Sequence, residues 1–377
     1  IHQTNSSLLR KSVAFNVTAH TFYLEDGAEM NNTLEFNLAA YVHPIGKPSS
    51  GGSQGGERFD EEPECIQPAD HTASGFYIPN PYNRLIGNAA SGGWAGFSFP
   101  KFDKPIRLSK HIDIVPHQFP LIKFDGNSAH SAGYHWGDAG CVYTGGSLWE
   151  EPSINNSLRY SNGRYEQNTM LPPFKPWGNT MAWHNLTNMR TWLCQKGYTT
   201  WGNRVDIIDF EAHDCARPAV LFGTSSLVHA LIVGTSNNNP KDMELVGRQG
   251  FGFYDTWVRT VVANVTFRNF HMQRQEPSRN GRNGIIVDLT HSDIYTPWSI
   301  SATKALRFEN VDQSLILRRW VRETGASRMF NIIDWDGSIA GATGCDQYIF
   351  GSEMDWWDIG QGCFHREDWD SYVCPRI

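Results

Sequence analysis

Three ionisable side chains alternate with apolar ones at one point in the chain and could carry acid–base chemistry. Asp209, Glu211 and His213 are separated by Phe210 and Ala212. Because successive side chains of a β-strand point to opposite faces, a strand here would present all three on one surface. Paired carboxylates shift each other's pKa, so that one can act as an acid and the other as a base or nucleophile, as in polysaccharide cleavage. An ordinary solvated strand face is the alternative.

A second acidic pair has a spacing that suits calcium. Asp334 and Asp336 precede Gly337 and Ser338, and carboxylate oxygens at positions i and i+2 before a glycine can hold a calcium ion. The stretch Glu25–Glu29 invites the same interpretation. The alternative in both places is a turn in which the side chains bond local backbone. The 14 histidines form no paired zinc motif, so we expect no zinc and no required cofactor, with calcium as the one candidate.

A group of cations next to a tryptophan suggests contact with a sugar. Arg318, Arg319 and Arg322 flank Trp320, and guanidinium groups beside an aromatic ring suit an anionic or stacked sugar. Scattered surface arginines are the alternative. Nucleic acid is not an expected partner, because the chain carries a net charge of −7. The expected partners are glycans or other extracellular proteins. The chain could also self-assemble or be part of a larger parent chain.

Sequons and cysteines place the chain on the secretory route. Its 377 residues contain seven cysteines, and an odd number leaves at least one thiol free or bonded outside the chain. No run of about 18 apolar residues is present, so no membrane span is expected. We expect an extracellular or cell-surface glycoprotein, and interpret Ile1 as a processed start or the edge of a larger chain. The N-glycosylation sequons begin at Asn5, Asn16, Asn31, Asn155, Asn185 and Asn264.

The elements that position these residues should be short strands. Apolar stretches recur between Asn and Gly, and the steps from Phe15 to Phe36 and from Phe267 to Phe308 approximate one and two units of about 20 residues. This period predicts an all-β parallel solenoid, with Phe15 and Phe36 stacked inward. A β-sandwich with coincidental spacing is the alternative.

The same period predicts one disulfide, and a short loop predicts another. Cys194 and Cys215 are separated by about one such unit, so they would lie on neighbouring rungs of the solenoid, within reach of a bond. Cys363 and Cys374 form an easy local pair near the C-terminus. Cys65, Cys141 and Cys345 are left without an assigned partner.

The predicted organisation is one domain with insertions. Residues 1–340 form the β-helix, Gly/Ser-rich and acidic residues 46–64 form a protruding loop, and proline-rich residues 144–180 form a long insertion. Residues 341–377, rich in Trp, Asp and Cys, form a C-terminal cap of the same domain.

Five motifs stand in order along the chain, in the segments His20–Leu38, Ala73–Phe97, Phe124–Ser131, Asp334–Ser338 and Cys363–Cys374. Together they resemble the β-helix region shared by fibrocystin-like proteins, CEMIP proteins and cell-surface hyaluronidase-like proteins. The resemblance implies a right-handed parallel β-helix, in a family that contains enzymes, receptors and large surface proteins. Residues 144–260 match the family least.

Two functions follow from these observations. The first is a structural or glycan-contacting β-helix in a cell-surface or filament assembly, favoured by the odd cysteine, the sequons and the insertions. The second is a depolymerase of a hyaluronan-like polysaccharide, favoured by the resemblance and by Asp209, Glu211 and His213. Sizing hyaluronan, chondroitin and pectin after incubation with the protein separates the two.

Overall fold

The computed structural model describes most of the chain and divides it into two compact units, Ile1–Val205 and Asp206–Ile377. Apart from four short 3₁₀ helices, the regular elements of the described residues are all strands, which is the composition of an all-β protein. Within the described residues no helix is long and apolar enough to cross a membrane. The described residues are 1–45, 58–59, 67–133, 140–155, 157–161, 182–200, 204–238, 249–254, 259–271, 285–290, 301–312, 331–341, 347–351, 362–367, 369 and 371–375.

The first unit contains seventeen described strands and the four 3₁₀ helices. The strands are β1 (Leu8–Arg10), β2 (Val13–Thr18), β3 (Phe22–Tyr23), β4 (Thr33–Glu35), β5 (Leu38–His43), β6 (Arg58–Phe59), β7 (Ser74–Tyr77), β8 (Arg84–Ile86), β9 (Ala89–Gly92), β10 (Ala95–Phe102), β11 (Lys123–Asp125), β12 (Ser128–His130), β13 (Gly140–Glu151), β14 (Ser157–Ser161), β15 (His184–Thr187), β16 (Arg190–Trp192) and β17 (Lys196–Thr200). The 3₁₀ helices are Pro68–His71, Arg107–Ser109, Pro116–Gln118 and Pro152–Ile154.

Strands of the first unit pair in parallel to form three ladders. One ladder runs β1–β4–β8–β11–β15, a second β2–β5–β9–β12–β16, and the third β3–β7–β10–β13–β17. The steps along the chain between paired residues of the first ladder are unequal. The register nevertheless stays constant while the connecting segments vary in length. The paired residues at its centre are Leu9, Leu34, Leu85, Phe124 and Leu186.

Two features hold these ladders together. Phe76 lies 4.7 Å from both Phe22 and Phe97 in stacked geometry inside the third ladder. Buried asparagines form the second feature. Asn88 Nδ2 donates to the Leu34 carbonyl and to Asn127 Oδ1, and Asn88 Oδ1 accepts from Asn37 N and Nδ2. Each amide thus satisfies backbone and side-chain groups of neighbouring strands, which a buried polar residue requires.

We call Asn37, Asn88 and Asn127 the asparagine column. Each of them follows a residue in the left-handed conformation, where the chain bends from one ladder to the next. Those bend residues include Phe36, Gly87 and Gly126, with φ between 55° and 66°. The Phe36 ring lies over Gly87, where an added Cβ would approach Phe36 Cε1 to 2.6 Å. Glycine at 87 thus fits both the backbone conformation and the space left by the ring.

The predicted inward stacking of Phe15 on Phe36 is wrong. Phe15 pairs with Ala40 rather than Phe36, and both phenylalanines are exposed, by 71% and 50%. The register step at this end of the ladders is longer than the expected repeat of about 20 residues. The interval from Phe15 to Phe36 therefore joins residues at different positions of the repeat. Phe267 and Phe308 are register partners, but the interval between them is a single step rather than two, with the rings 5.8 Å apart.

The second unit continues with parallel pairing and ends in antiparallel strands. β20 pairs with β22, and β22 pairs with both β24 and β25, all in parallel; β26–β27, β27–β29 and β28–β29 are antiparallel. The strands are β18 (Val205–His213, which contains the unit boundary), β19 (Arg217–Phe222), β20 (Ser225–Val233), β21 (Gln249–Tyr254), β22 (Thr260–Phe270), β23 (Ile285–Thr290), β24 (Ala302–Lys304), β25 (Arg307–Val311), β26 (Asn331–Asp334), β27 (Gln347–Gly351), β28 (Phe364–Arg366) and β29 (Ser371–Pro375).

The structure contains one of the two predicted disulfides. Cys363 is bonded to Cys374. The predicted Cys194–Cys215 bond is wrong, since Cys194 is bonded to Cys141, at a sequence separation of 53. Cys141 is in β13 and Cys194 lies just before β17, strands that are direct neighbours in the third ladder. Cys215 is a buried thiol whose Sγ lies 3.5 Å from the His213 carbonyl oxygen, and Cys65 and Cys345 lie outside the described residues.

Candidate functional site

The predicted acid–base residues lie on β18, but the strand does not alternate along its whole length. Val205 and Ile207 are buried, whereas Asp209 has a φ of 58° and is exposed. This left-handed residue shifts the alternation of inward and outward side chains by one position, so that Phe210 and Ala212 point inward. Aspartate tolerates this conformation better than most residues because its short side chain can bond locally.

Glu211 and His213 are brought together by the second half of the strand. His213 Nε2 lies 2.7 Å from Glu211 Oε1, a hydrogen-bond distance, and both side chains are about one-third exposed. A carboxylate that accepts from one imidazole nitrogen orients the ring and leaves the other nitrogen available for proton transfer. The pair can therefore exchange protons with a molecule bound on the surface.

Asp209 faces a different partner, which the alternation of β18 did not predict. His229 occupies the corresponding bend of β20, with a φ of 58°, and its Nδ1 lies 3.7 Å from Asp209 Oδ1. The interval from Asp209 to His229 matches the repeat expected from the sequence, and this is the signal that could have identified the pair. A second contact over the same interval joins Ser226 Oγ to Asp206 Oδ1 at 2.6 Å. The predicted trio is thus divided into two carboxylate–imidazole pairs on neighbouring segments.

A second surface of interest lies in the first unit, where large apolar side chains are exposed together. We call Val13, Phe15, Phe36, Leu38 and Tyr41 the apolar platform. Val13 and Leu38 are register partners on β2 and β5, and the Phe15 and Tyr41 rings are 6.1 Å apart. Tyr41 is 58% exposed and has a φ of 59°, so it too is at a bend.

Polar groups surround the apolar platform. The Arg10 guanidinium lies 5.9 Å from the centre of the Phe36 ring while its Nε is 2.9 Å from Glu35 Oε1. On the other side, the His43 ring packs edge-on against Tyr41 at 4.0 Å, and His43 Nε2 lies 2.9 Å from Asn16 Oδ1. Exposed rings bordered by hydrogen-bonding groups form a surface that suits a sugar, which has both apolar C–H faces and hydroxyls.

The carboxylates of the predicted calcium residues accept hydrogen bonds from backbone amides. Asp334 Oδ2 accepts from the Ile339 and Ala340 amides, and Asp336 accepts from the Ala305 and Ser338 amides. Burial raises the pKa of Asp334, and the nearby Asp336 charge raises it further. This arrangement matches the turn that was the alternative interpretation, and the binding of calcium stays a prediction.

The remaining predicted sites are placed as follows. Arg318, Arg319, Trp320 and Arg322 lie outside the described residues, so their role in sugar contact stays a prediction. The sequon asparagines are all exposed, as N-linked glycans require, and four of them are in the left-handed conformation. These asparagines are Asn5, Asn16, Asn31, Asn155, Asn185 and Asn264.

Comparison with known proteins agrees with this architecture. Residues 1–136 match the CEMIP β-helix family model. The whole chain is 43% identical to a G8 domain-containing protein of Dictyostelium discoideum, covering 27% of that protein, and 43% identical to the Protein rliB of the same organism, covering 34%. It is 29% identical to mouse (Mus musculus) Fibrocystin-L over 135 residues, which are 36% of this chain and 3% of that protein.

The chain therefore spans about a quarter to a third of the length of these Dictyostelium relatives. The β-helix match, the Fibrocystin-L similarity and the two disulfides indicate an extracellular or cell-surface protein. The chain is therefore similar to the CEMIP β-helix family over residues 1–136 and to Fibrocystin-L over 135 residues.

Proposed function

We propose that this chain is an extracellular β-helix that contacts glycans as a component of a cell-surface or filament assembly. The observation that carries the proposal is the apolar platform with its polar border. The proposal includes a right-handed winding of the parallel ladders, secretion, and N-linked glycans on the six exposed sequons. The parallel pairing within each unit and the disulfides support these parts.

The apolar platform favours a bound partner because its exposure is unfavourable in water. Burying apolar surface contributes about 25 cal/mol per Å², and contiguous exposed apolar patches commonly mark interaction sites. The Phe15 and Tyr41 rings can stack on the C–H face of a sugar, while Arg10 and His43 can bond hydroxyl or carboxylate oxygens. An anionic polysaccharide fits this combination best.

We expect the Phe15→Ala/Tyr41→Ala double variant to bind hyaluronan or chondroitin at least about tenfold more weakly than wild type, because two stacking rings are lost. Binding would be measured by biolayer interferometry on immobilised chains, with pectin as a third polysaccharide. Leu108→Ala is the matched control, since Leu108 is 67% exposed and is not part of the apolar platform. Equal affinity of the double variant and wild type would refute this role.

One sequon calls for a further comparison in that experiment. Asn16 touches His43 at the border of the apolar platform, so a glycan on Asn16 would lie close to the rings. Binding should therefore be measured before and after enzymatic removal of N-glycans. Stronger binding after removal would place the polysaccharide on the same surface.

A second candidate function is cleavage of such a polysaccharide. The observation that favours it is the 2.7 Å contact between Glu211 and His213 beside the Asp209–His229 pair. In such a reaction a protonated group donates its proton to the departing glycosidic oxygen. A carboxylate takes a proton from the attacking water or itself attacks the sugar.

If the chain cleaves a glycan, Glu211→Gln should lower the rate by about a hundredfold or more, because general acid–base catalysis contributes about 10²–10⁴. The measurement is the size distribution of hyaluronan or chondroitin after incubation. Glu309→Gln is the matched control, as Glu309 is an exposed carboxylate that pairs with Arg268 instead. Uncut chains with wild-type protein would exclude this activity and leave the binding role.

A further inference from the structure

A cluster of three metal-ligating groups lies in the first unit, away from both surfaces described above. His2 Nδ1 is 3.3 Å from Glu25 Oε2 and 3.7 Å from Asp26 Oδ1, and one ligand atom from each residue lies within 4.8 Å of the other two. Among the described residues this is the one such group of three. Glu25 and Asp26 follow β3, while His2 precedes β1.

Asp26 supplies an observation that points to a missing ligand. Its side chain is fully buried, and its Oδ2 accepts from the Ser109 amide at 3.2 Å. Its Oδ1 has no hydrogen bond within the described part of the chain, although it is buried and directed at His2. A buried carboxylate oxygen without a hydrogen bond costs free energy, and a cation placed among these three groups would remove that cost.

The backbone around the cluster is fixed in place. Glu29 Oε1 accepts from the Gln3 and Asp26 amides, and its Oε2 accepts from the Gly27 amide. The Asp26 carbonyl accepts from the Ile106 amide. Glu29 therefore ties the segment that carries His2 to the loop that carries the two acids, and the ligand groups are held close before any ion binds.

The two carboxylates of the cluster carry more negative charge than the one arginine beside them neutralises. Arg107 Nε lies 3.7 Å from Glu25 Oε1, whereas His2 contacts the other oxygen of this carboxylate, Oε2. One guanidinium therefore balances one of the two carboxylates. Glu25, Asp26 and Arg107 together carry one negative charge, which favours a cation beside them.

We propose that His2, Glu25 and Asp26 bind a divalent transition metal ion, for which Zn²⁺ is the probe. One imidazole nitrogen and two carboxylate oxygens form a ligand set suited to zinc, whereas calcium takes oxygen ligands alone. Three protein ligands leave a position of tetrahedral zinc for water. Zinc was not predicted from the sequence because the histidines form no closely spaced pair, whereas here the ligands come from two separate segments of the chain.

The test is the amount of Zn²⁺ bound by the folded full chain. After removal of metals with a chelator, equilibrium dialysis against micromolar Zn²⁺ and elemental analysis should show one equivalent more for wild type than for His2→Ala and for Glu25→Gln. These two variants are chosen because both side chains are partly exposed, and their thermal unfolding should stay close to that of wild type. His111→Ala is the control, since His111 is exposed and contacts only the Leu108 carbonyl among the described polar groups.

Three outcomes would overturn the proposal. The first is equal Zn²⁺ binding by wild type and His2→Ala, which would show that the three side chains contact one another without holding a metal ion. The second is an equal loss in His111→Ala. The third is release of the extra equivalent by a tenfold excess of Ca²⁺, which would make it a site for an oxygen-seeking cation.

Discussion

Replacing Asn88 with leucine is expected to lower the free energy of unfolding by about 4 kcal/mol or more, because several buried groups lose their partners at about 1–3 kcal/mol each. Asn88 is almost completely buried and bonds to Leu34 of β4 and to Asn37 and Asn127, which directly precede β5 and β12. Its loss leaves the Asn37 amide and the Leu34 carbonyl without the bonds that Asn88 provides. Urea unfolding followed by circular dichroism measures the change.

Asn188→Gly is the control for this experiment. Asn188 is an exposed bend residue with a φ of 53°, and its Nδ2 donates a single bond to Asp125 Oδ1. Glycine adopts this backbone conformation freely, so the substitution removes the exposed bond and should cost about 1 kcal/mol or less. Equal costs for Asn88→Leu and Asn188→Gly would show that the asparagine column does not stabilise the ladders.

Removal of the Cys141–Cys194 disulfide is expected to lower the stability of the first unit by about 4 kcal/mol in the chain-entropy model. The bond closes a loop with a sequence separation of 53 residues, and both cysteines are fully buried. A Cys141→Ala/Cys194→Ala double variant keeps the site apolar, and its unfolding midpoint in urea measures the loss.

The Cys363–Cys374 disulfide is the internal comparison. Its sequence separation is 11 residues, so the same model gives about 3 kcal/mol for its removal. A larger loss from the Cys363→Ala/Cys374→Ala variant than from the first pair would contradict the loop-length argument.

The sequence predicted the kind of fold, because strand composition, asparagine-rich bends and family motifs are local signals. It did not predict the register. Phe15 and Phe36 have the spacing of a repeat, yet Phe36 lies at a bend and Phe15 pairs with Ala40. The register depends on the length of each connection, and no local pattern encodes that length. Cys194 was assigned the wrong partner for the same reason.

The candidate site was predicted in part. Alternation correctly placed Glu211 and His213 on one face, since no bend lies between them. It failed at Asp209, because a single left-handed residue reverses the alternation and leaves little trace in the sequence. The contact of His2 with Asp26 joins residues that are distant in the chain. Only the folded arrangement of strands brings them together.

The unequal steps of the first ladder bear on how the segments that connect its strands can change over evolution. The longest step, from Phe124 to Leu186, is more than twice the shortest, from Leu9 to Leu34, yet both join residues in one register. Loop-closure entropy grows only with the logarithm of length, so each doubling of a connection costs about 0.6 kcal/mol. Insertions and deletions in these connections therefore change the free energy of folding little. Selection can alter the connections to bind new ligands while the ladder is retained.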